Sequence, residues 1–137
     1  MVEGIVQGTN EGEALFGGRI VLRSALDDLT ITETRHAKAQ PGASPHVHRE
    51  HTDSFYVLEG ELAFLVDDEE HLLGPGAFVS APPGVVHGFR SLSAARFLNL
   101  HTPDGRFAEN LRARDRGEAG GFDSFDAEPG SGRPASD

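Results

Sequence analysis

The stretch PGASPHVHREHTDSFYVLEG, residues 41–60, decides the fold and holds most of the candidate chemistry. His46 and His48 are two positions apart, so in an extended strand their side chains project to the same face, about 6.5–7 Å apart. Asp53 begins the following strand, and by the same alternation it shares one face with Phe55. This pattern predicts that two imidazoles and one carboxylate are directed toward a common point.

A second stretch, GAFVSAPPGVVHGFRS, residues 76–91, supplies another histidine, His87, after a Pro-Gly turn. Two ligands from one strand and a third from another can hold an ion about 2.0–2.2 Å from each nitrogen. We therefore predict one divalent transition metal, bound by His46, His48 and His87 with Asp53 as a further candidate. Fe, Ni, Mn, Cu and Zn all accept imidazole and carboxylate ligands, so ligand type does not choose among them.

Outward from these stretches, short apolar segments with β-branched and aromatic residues alternate with Gly, Pro and Asp turns. Such segments are typical of strands. Many short strands at close spacing predict an all-β sandwich or barrel, followed by one late helix. The predicted strands are residues 19–23, 29–34, 46–48, 55–58, 61–66, 71–73, 77–80, 85–89 and 96–101.

The composition changes after residue 103, where a segment with mixed charge places Phe107 and Leu111 on one face of a helix. Gly, Asp, Ser and Pro then dominate the end of the chain, which is typical of mobile segments. The sequence thus predicts four parts: an N-terminal arm (1–18), a barrel (19–103), a helix (104–116) and a flexible or loosely packed tail (117–137).

The overall composition narrows the classes of function. The 137 residues carry a formal net charge of −10, which disfavours nucleic acid as a partner. The chain has no cysteine, so disulfides, thiolate metal sites and cysteine nucleophiles are excluded. Apolar runs fall far short of the roughly 20 residues of a membrane span. We expect no signal peptide, no membrane association and a cytoplasmic location.

The two stretches together carry a resemblance. Gly42 to Gly60 resembles the first motif of the cupin superfamily: a glycine, a His-x-His pair, four residues, an acid, six residues and a glycine. Gly76 to Ser91 resembles the second motif, with proline, glycine and His87 at the expected spacing. The chain is similar to small single-domain bacterial cupins of the quercetinase-like kind over residues 20–103. This resemblance implies a double-stranded β-helix, or jelly-roll barrel.

The sequence departs from the cupin motifs at two positions. The acid of the first motif is usually glutamate and is here Asp53, whose side chain is shorter by roughly 1.5 Å. Asp53 therefore either ligates the metal or hydrogen-bonds a ligand histidine. Ser91 stands where an asparagine is expected. His51 lies between His48 and Asp53 and could replace or supplement the acid, although its position favours an exposed loop.

A second group of residues is a candidate pocket lining. Asn99 and His101 share a strand face with Phe97. If that face is internal, both polar side chains line a pocket; if the strand is an edge, both face water. For Asn99 we favour water, and for His101 both alternatives stay open. The full candidate set is His51, Phe55, Phe78, Phe89, Asn99 and His101, in which the phenylalanines are either ordinary core or an apolar pocket wall.

The resemblance also implies classes of function. Likeness to quercetinases implies an oxygen-dependent enzyme that acts on a small organic molecule, with Asp53 as candidate general base. One alternative is an isomerase, cyclase or decarboxylase that uses the metal as a Lewis acid. Another is a module that binds a small metabolite without turnover. Small cupins commonly pair, so we expect a homodimer that forms through an edge strand or the N-terminal arm.

Overall fold

The structure is a computed structural model that describes residues 3–118 and the backbone of residues 127–129. Its first sheet contains β1 (Glu13–Leu15), β2 (Ile20–Leu26), β3 (Leu29–His36), β6 (Thr52–Glu59), β9 (Phe78–Ala81) and β11 (Ala95–Thr102). Its second sheet contains β4 (Gln40–Pro41), β5 (His46–His48), β7 (Leu62–Val66), β8 (Glu69–Leu73), β10 (His87–Ser91) and β12 (Ala127–Pro129). A 3-10 turn at Phe16–Gly18 and helix α1 (Phe107–Asp115) complete the described elements.

The strands of both sheets pair antiparallel. The first sheet has the order β1-β2-β3-β11-β6-β9, and the second has the order β12-β5-β10-β7-β8, with β4 also paired to β10. From β5 to β11 the chain crosses between the sheets at every connection except that of β7 to β8, as in a jelly roll. The prediction of an all-β jelly-roll barrel with a short C-terminal helix is confirmed.

The aromatic core lies between the two sheets. Phe55 and Phe97 come from the first sheet, whereas Leu62 and Phe64 come from the second, and all four are at most 5 % exposed. The alternation along β6 explains which residues enter: Asp53, Phe55 and Val57 are buried, while the residues between them are more exposed. The same alternation that fills the core with phenylalanine thus directs Asp53 inward.

A tight turn connects β6 to β7. Gly60 has φ +82°, and a Cβ on it would lie 2.1 Å from the carbonyl oxygen of Ala94. Glycine is therefore required here for both the positive φ and the close backbone approach. β6 ends at Glu59 in the first sheet and β7 begins at Leu62 in the second, so the chain crosses between the sheets at this turn.

Helix α1 packs on the inward face of the first sheet, at its β1–β2 edge. The Asp104 carboxylate caps its start by accepting hydrogen bonds from the backbone N–H groups of Arg106 (3.0 Å) and Ala108 (3.1 Å). Leu111 packs with Leu15 and Leu22 in a second, smaller apolar cluster. This anchoring fixes the loop between β11 and α1, which borders the site described below.

The end of the chain is described in part. The tail predicted at residues 117–137 lies outside the described residues except for residues 117–118 and the backbone of β12, which pairs with β5. Across the described ranges, no helix combines the length and apolar content needed to cross a membrane.

Candidate metal centre

The structure brings His46, His48, Asp53 and His87 together inside the barrel. One ligand atom of each lies within 4.8 Å of the others, and we call this group the four-ligand cluster. Strands β5, β6 and β10 supply the residues, so the cluster joins both sheets. Each side chain belongs to a residue that is 1–5 % exposed. Burial of so many polar groups needs a compensating interaction.

The three imidazoles face one another closely. The ring centroid of His46 lies 4.9 Å from that of His48 and 4.2 Å from that of His87, and His48 and His87 are 5.4 Å apart. His46 and His87 are directly paired across β5 and β10. The sheet register therefore sets their proximity, because opposite residues of an antiparallel pair project to the same face.

Backbone carbonyls orient two of these rings. The Nδ1–H of His46 donates to the carbonyl oxygen of Ser44 at 2.8 Å, and the Nδ1–H of His87 donates to that of Val85 at 3.0 Å. A carbonyl can only accept, so in a neutral ring the proton is on Nδ1 and the lone pair is on Nε2. Such carbonyl contacts commonly fix the tautomer of metal-ligating histidines.

The lone pairs converge on a carboxylate. Nε2 of His87 lies 3.0 Å from Oδ2 of Asp53, and Nε2 of His48 lies 3.4 Å from the same oxygen. A neutral His87 has no proton on Nε2 to donate, so this nitrogen and the carboxylate oxygen would repel each other. A cation between them, either a proton or a metal ion, removes the repulsion. The donor set therefore fits a divalent transition metal.

Asp53 is held as an anion. Burial would raise its pKa, but when protons occupy the facing nitrogens of His48 and His87, hydrogen bonds from these two rings, and then the charge of His101, outweigh burial and hold the pKa of Asp53 well below its ordinary value. Asn99 fixes the other oxygen, because its Nδ2 donates to Oδ1 of Asp53 and also to the backbone oxygen of Ser54 (3.1 Å). Oδ2 is thereby directed at the histidines.

His46 is neutral at ordinary pH. Burial, followed by the charge of His87, lowers its pKa to about 4, against the opposing effect of the hydrogen bond to Ser44. A neutral imidazole is the form that ligates a metal. His46 therefore presents a neutral nitrogen ligand beside the negative charge of Asp53.

Two further histidines lie close to His48. His48, His51 and His101 each offer a ligand atom within 4.8 Å of the other two, and we call them the three-histidine cluster. All three are at most 2 % exposed. His101 faces Asp53 across β11 and β6, and burial lowers its pKa to about 4. His48 thus belongs to both clusters.

Three expectations about exposure were wrong. His51 is 2 % exposed rather than a surface loop residue, because the Asp104–Gly105 loop packs over it. Asn99 is buried and bonded to Asp53 instead of facing water, because β11 is a central strand. Phe78 is 59 % exposed, because it pairs with the outward-facing Tyr56.

The remaining pocket candidates lie inside. Phe55 is buried, Phe89 is partly buried against the aromatic core, and His101 faces inward. Ser91, which departs from the second cupin motif, has its hydroxyl 2.6 Å from Nδ1 of His36. Sequence reasoning missed this pairing, since residues 36 and 91 lie in different sheets and meet only in the folded barrel.

The comparisons with known proteins agree with this architecture. A family model described as the cupin domain matches residues 35–101, a range that includes every residue of both clusters. The protein contains a cupin domain. The two motifs are thus those of the cupin superfamily, as the sequence predicted.

Particular relatives extend the comparison. Over 45 residues the cupin is 42 % identical to quercetin 2,3-dioxygenase of Bacillus subtilis, a match that spans 33 % of this chain and 13 % of that protein. An RmlC-like cupin of Shewanella frigidimarina superposes with a TM-score of 0.63 at 25 % identity, over 74 % of this chain and 92 % of that one. Pac13 of Streptomyces, a nucleoside dehydratase, superposes at 0.52 and 12 % identity, over 61 % and 68 % of the chains, which shows a common fold alone.

Proposed function

We propose that this cupin is a metal-dependent enzyme that oxidises a small organic molecule with dioxygen. The observation that carries the proposal is the convergence of four buried ligand atoms, one each from His46, His48, Asp53 and His87, within 4.8 Å of one another. The local similarity to a quercetin 2,3-dioxygenase favours oxygen chemistry over other cupin reactions. The short span of that similarity leaves the substrate to be found by experiment.

In this proposal His46, His48 and His87 hold the metal through Nε2. Bound there, a divalent transition metal would supply Lewis acidity toward an enol or catechol oxygen of the substrate and redox activity toward dioxygen. Asp53 contributes the negative charge that offsets part of the metal's charge. Its lowered pKa makes it a weak base, which supports a ligand or charge-partner role better than general base catalysis.

The rest of the barrel interior supports the site. Asn99 is a positioning residue, because it holds one oxygen of Asp53 and so orients the other. The phenylalanines below the cluster exclude water: Phe55 lies 4.8 Å from Phe64 and 5.5 Å from Phe89 between ring centroids. A water-excluded site strengthens the electrostatic interactions around bound substrate.

The test begins with elemental analysis of the purified protein. The metal-free protein is then loaded separately with Fe(II), Ni(II), Mn(II), Cu(II) or Zn(II), and oxygen uptake is followed with flavonol and other enol substrates. We expect uptake with at least one redox-active metal and none with the His46→Ala/His48→Ala variant. His71→Ala, which changes an exposed histidine, is the matched control and keeps activity.

Two results would contradict oxygen chemistry. Turnover that continues unchanged without oxygen would assign the cupin to non-oxidative Lewis-acid catalysis. Tight ligand binding by metal-free protein, unaffected by His46→Ala, would assign it to metabolite binding without turnover.

We also propose that the cupin pairs through β9, the outer strand of the first sheet. Phe78 of β9 is paired with Tyr56 of β6 on the outer face of this sheet, and the two side chains are 59 % and 40 % exposed. Exposed large apolar side chains beside an open strand edge favour contact with a second copy. A sedimentation velocity experiment that gave a monomer at working concentration would contradict this proposal.

A further inference from the structure

We infer that the three-histidine cluster is a second transition-metal site and that His48 bridges the two ions, one bound through each ring nitrogen. This inference goes beyond the proposed reaction and concerns metal stoichiometry. The ligand class is a borderline divalent cation such as Cu(II) or Zn(II), because the cluster offers imidazole nitrogens. Three histidines with a water molecule in the fourth position form a known metal environment.

The position of His48 supports the shared role. Its ring centroid lies 4.9 Å from His46 and 5.4 Å from His87, and it lies 5.1 Å from His101 and 5.6 Å from His51. The His48 ring is therefore about equally far from its partners in the two clusters. Its Nε2 lies 3.4 Å from Asp53, on the side of the four-ligand cluster. One nitrogen cannot ligate two ions, so simultaneous occupancy assigns Nδ1 to the second ion.

His101 is oriented as the ligand histidines of the first site are. Its Nδ1–H donates to the carbonyl oxygen of Pro103 at 3.2 Å, so a neutral ring presents its lone pair on Nε2. Its ring stacks on Phe107 with centroids 4.2 Å apart and planes within 3° of parallel. Carbonyl contact and stacking together hold the ring in one direction, as preorganised metal ligands require.

His51 is held from the outside by the loop that follows β11. A Cβ on Gly105 would lie 1.7 Å from Nε2 of His51, and Gly105 has φ +55°, so the loop packs directly on the imidazole. The rings of His51 and His101 are 4.4 Å apart. The loop itself is fixed by Asp104, which caps α1. The outer side of the three-histidine cluster is thus covered by a loop that is itself anchored to α1.

The charges are consistent with two cations. A ring that ligates through both nitrogens loses its second proton, and metal binding releases that proton to solvent. The resulting imidazolate adds one negative charge to that of Asp53. Two negative charges beside two divalent ions leave a smaller excess of positive charge than neutral ligands alone would leave.

The test is a count of bound copper. Metal-free protein is incubated with excess Cu(II), passed through gel filtration and analysed for copper per chain. We expect two ions for the unaltered protein, one for His101→Gln and none for His48→Gln, because the last change removes a ligand from both sites. His71→Ala, an exposed histidine outside both clusters, is the matched control and keeps two ions.

Electron paramagnetic resonance supplies an independent measurement that needs no variant. An imidazolate bridge couples two Cu(II) spins, so the integrated signal of the fully loaded protein falls below two spins per chain. One copper per chain at saturation, a full uncoupled signal from two ions, or an ion retained by folded His48→Gln would each overturn the inference. Circular dichroism of each variant establishes that it is folded.

Discussion

The two halves of the barrel interior are built on the same strands and differ in chemistry. Along β6, Asp53 lies in the polar half and Phe55 in the aromatic half; along β10, His87 and Phe89 divide in the same way. Both halves are directed inward by one alternation of strand residues. The aromatic half is stable by burial alone, whereas the polar half is costly to bury without a cation. We therefore expect the aromatic half to stabilise the fold and the polar half to bind the metal.

Removal of a ligand from the polar half is the most severe test of this division. His87→Ala deletes an imidazole that is paired with both His46 and Asp53. Changes beside a ligand already weaken metal binding about 10–100-fold, so loss of a ligand is expected to weaken it at least ~100-fold. Competition titration with a chromophoric chelator measures the dissociation constant. Unchanged affinity in a folded variant would contradict the assignment of His87.

Acid is expected to destabilise the metal-free protein through the same half. The pKa values of His46 and His101 fall from 6.5 to about 4 on folding. Between these values the unfolded chain binds protons that the native state does not, so the free energy of unfolding rises with pH. The loss between pH 6.5 and pH 4 is about 3 kcal/mol for each histidine. Below that range the lowered pKa of Asp53 acts in the same direction.

Urea unfolding at pH 7 and at pH 4.5 measures this loss. His46→Gln removes one of the titrating groups and should flatten the dependence on pH. His71→Ala removes an exposed histidine and should leave the dependence intact. Equal stability at both pH values would show that burial does not keep these histidines neutral.

Changes in the aromatic half should lower the stability of the fold and leave metal binding unchanged. Phe64 is fully buried and contacts Phe55 and Phe89, with ring centroids 4.8 and 5.6 Å away. Phe64→Ala is expected to lower the free energy of unfolding by about 3–5 kcal/mol through lost burial and an unfilled cavity. Metal content per folded chain should stay unchanged. Leu72→Ala, which changes a residue 69 % exposed in the neighbouring strand, is the control.

Asn99 lies in the polar half but is not one of the proposed metal ligands, and its role there is to hold Asp53. Asn99→Ala removes the hydrogen bonds that fix Asp53 and is expected to weaken metal binding about 10–100-fold. Leu98→Ala, on the outer face of the same strand, should leave affinity unchanged. Competition titration with a chelator measures the metal dissociation constant of each variant. Equal affinities would reduce Asn99 to a structural role.

The sequence predicts the barrel and the four-ligand cluster because both follow from local spacing. His46-x-His48 fixes a common face, and the motif around His87 fixes a turn before the third histidine. The inward direction of Asn99 does not follow, since β11 also carries Leu98 and Leu100 on its outer face. With apolar residues on both faces, alternation cannot say which face is internal.

The three-histidine cluster was out of reach for a different reason. His51 is buried by Gly105, a contact between residues 54 positions apart in the chain. Nothing in the spacing of His51 relative to His48 and Asp53 indicates that a later loop covers it. Burial by a distant loop is a property of the tertiary fold, so local patterns at residue 51 favoured exposure.

Phe78 and Val79 give the mildest test, because the sequence favoured Phe78 as an inward residue of β9 and the structure places Val79 there instead. The register pairs Phe78 with Tyr56 outside and Val79 with Phe55 inside. Phe78→Ser should change the free energy of unfolding by no more than about 0.5 kcal/mol and should weaken self-association through β9. Val79→Ser, at the matched inner position, should destabilise the fold instead, since a hydroxyl there would face the aromatic core. Urea unfolding and sedimentation velocity of both variants separate the two effects, and a larger loss of stability from Phe78→Ser than from Val79→Ser would reverse the assigned register.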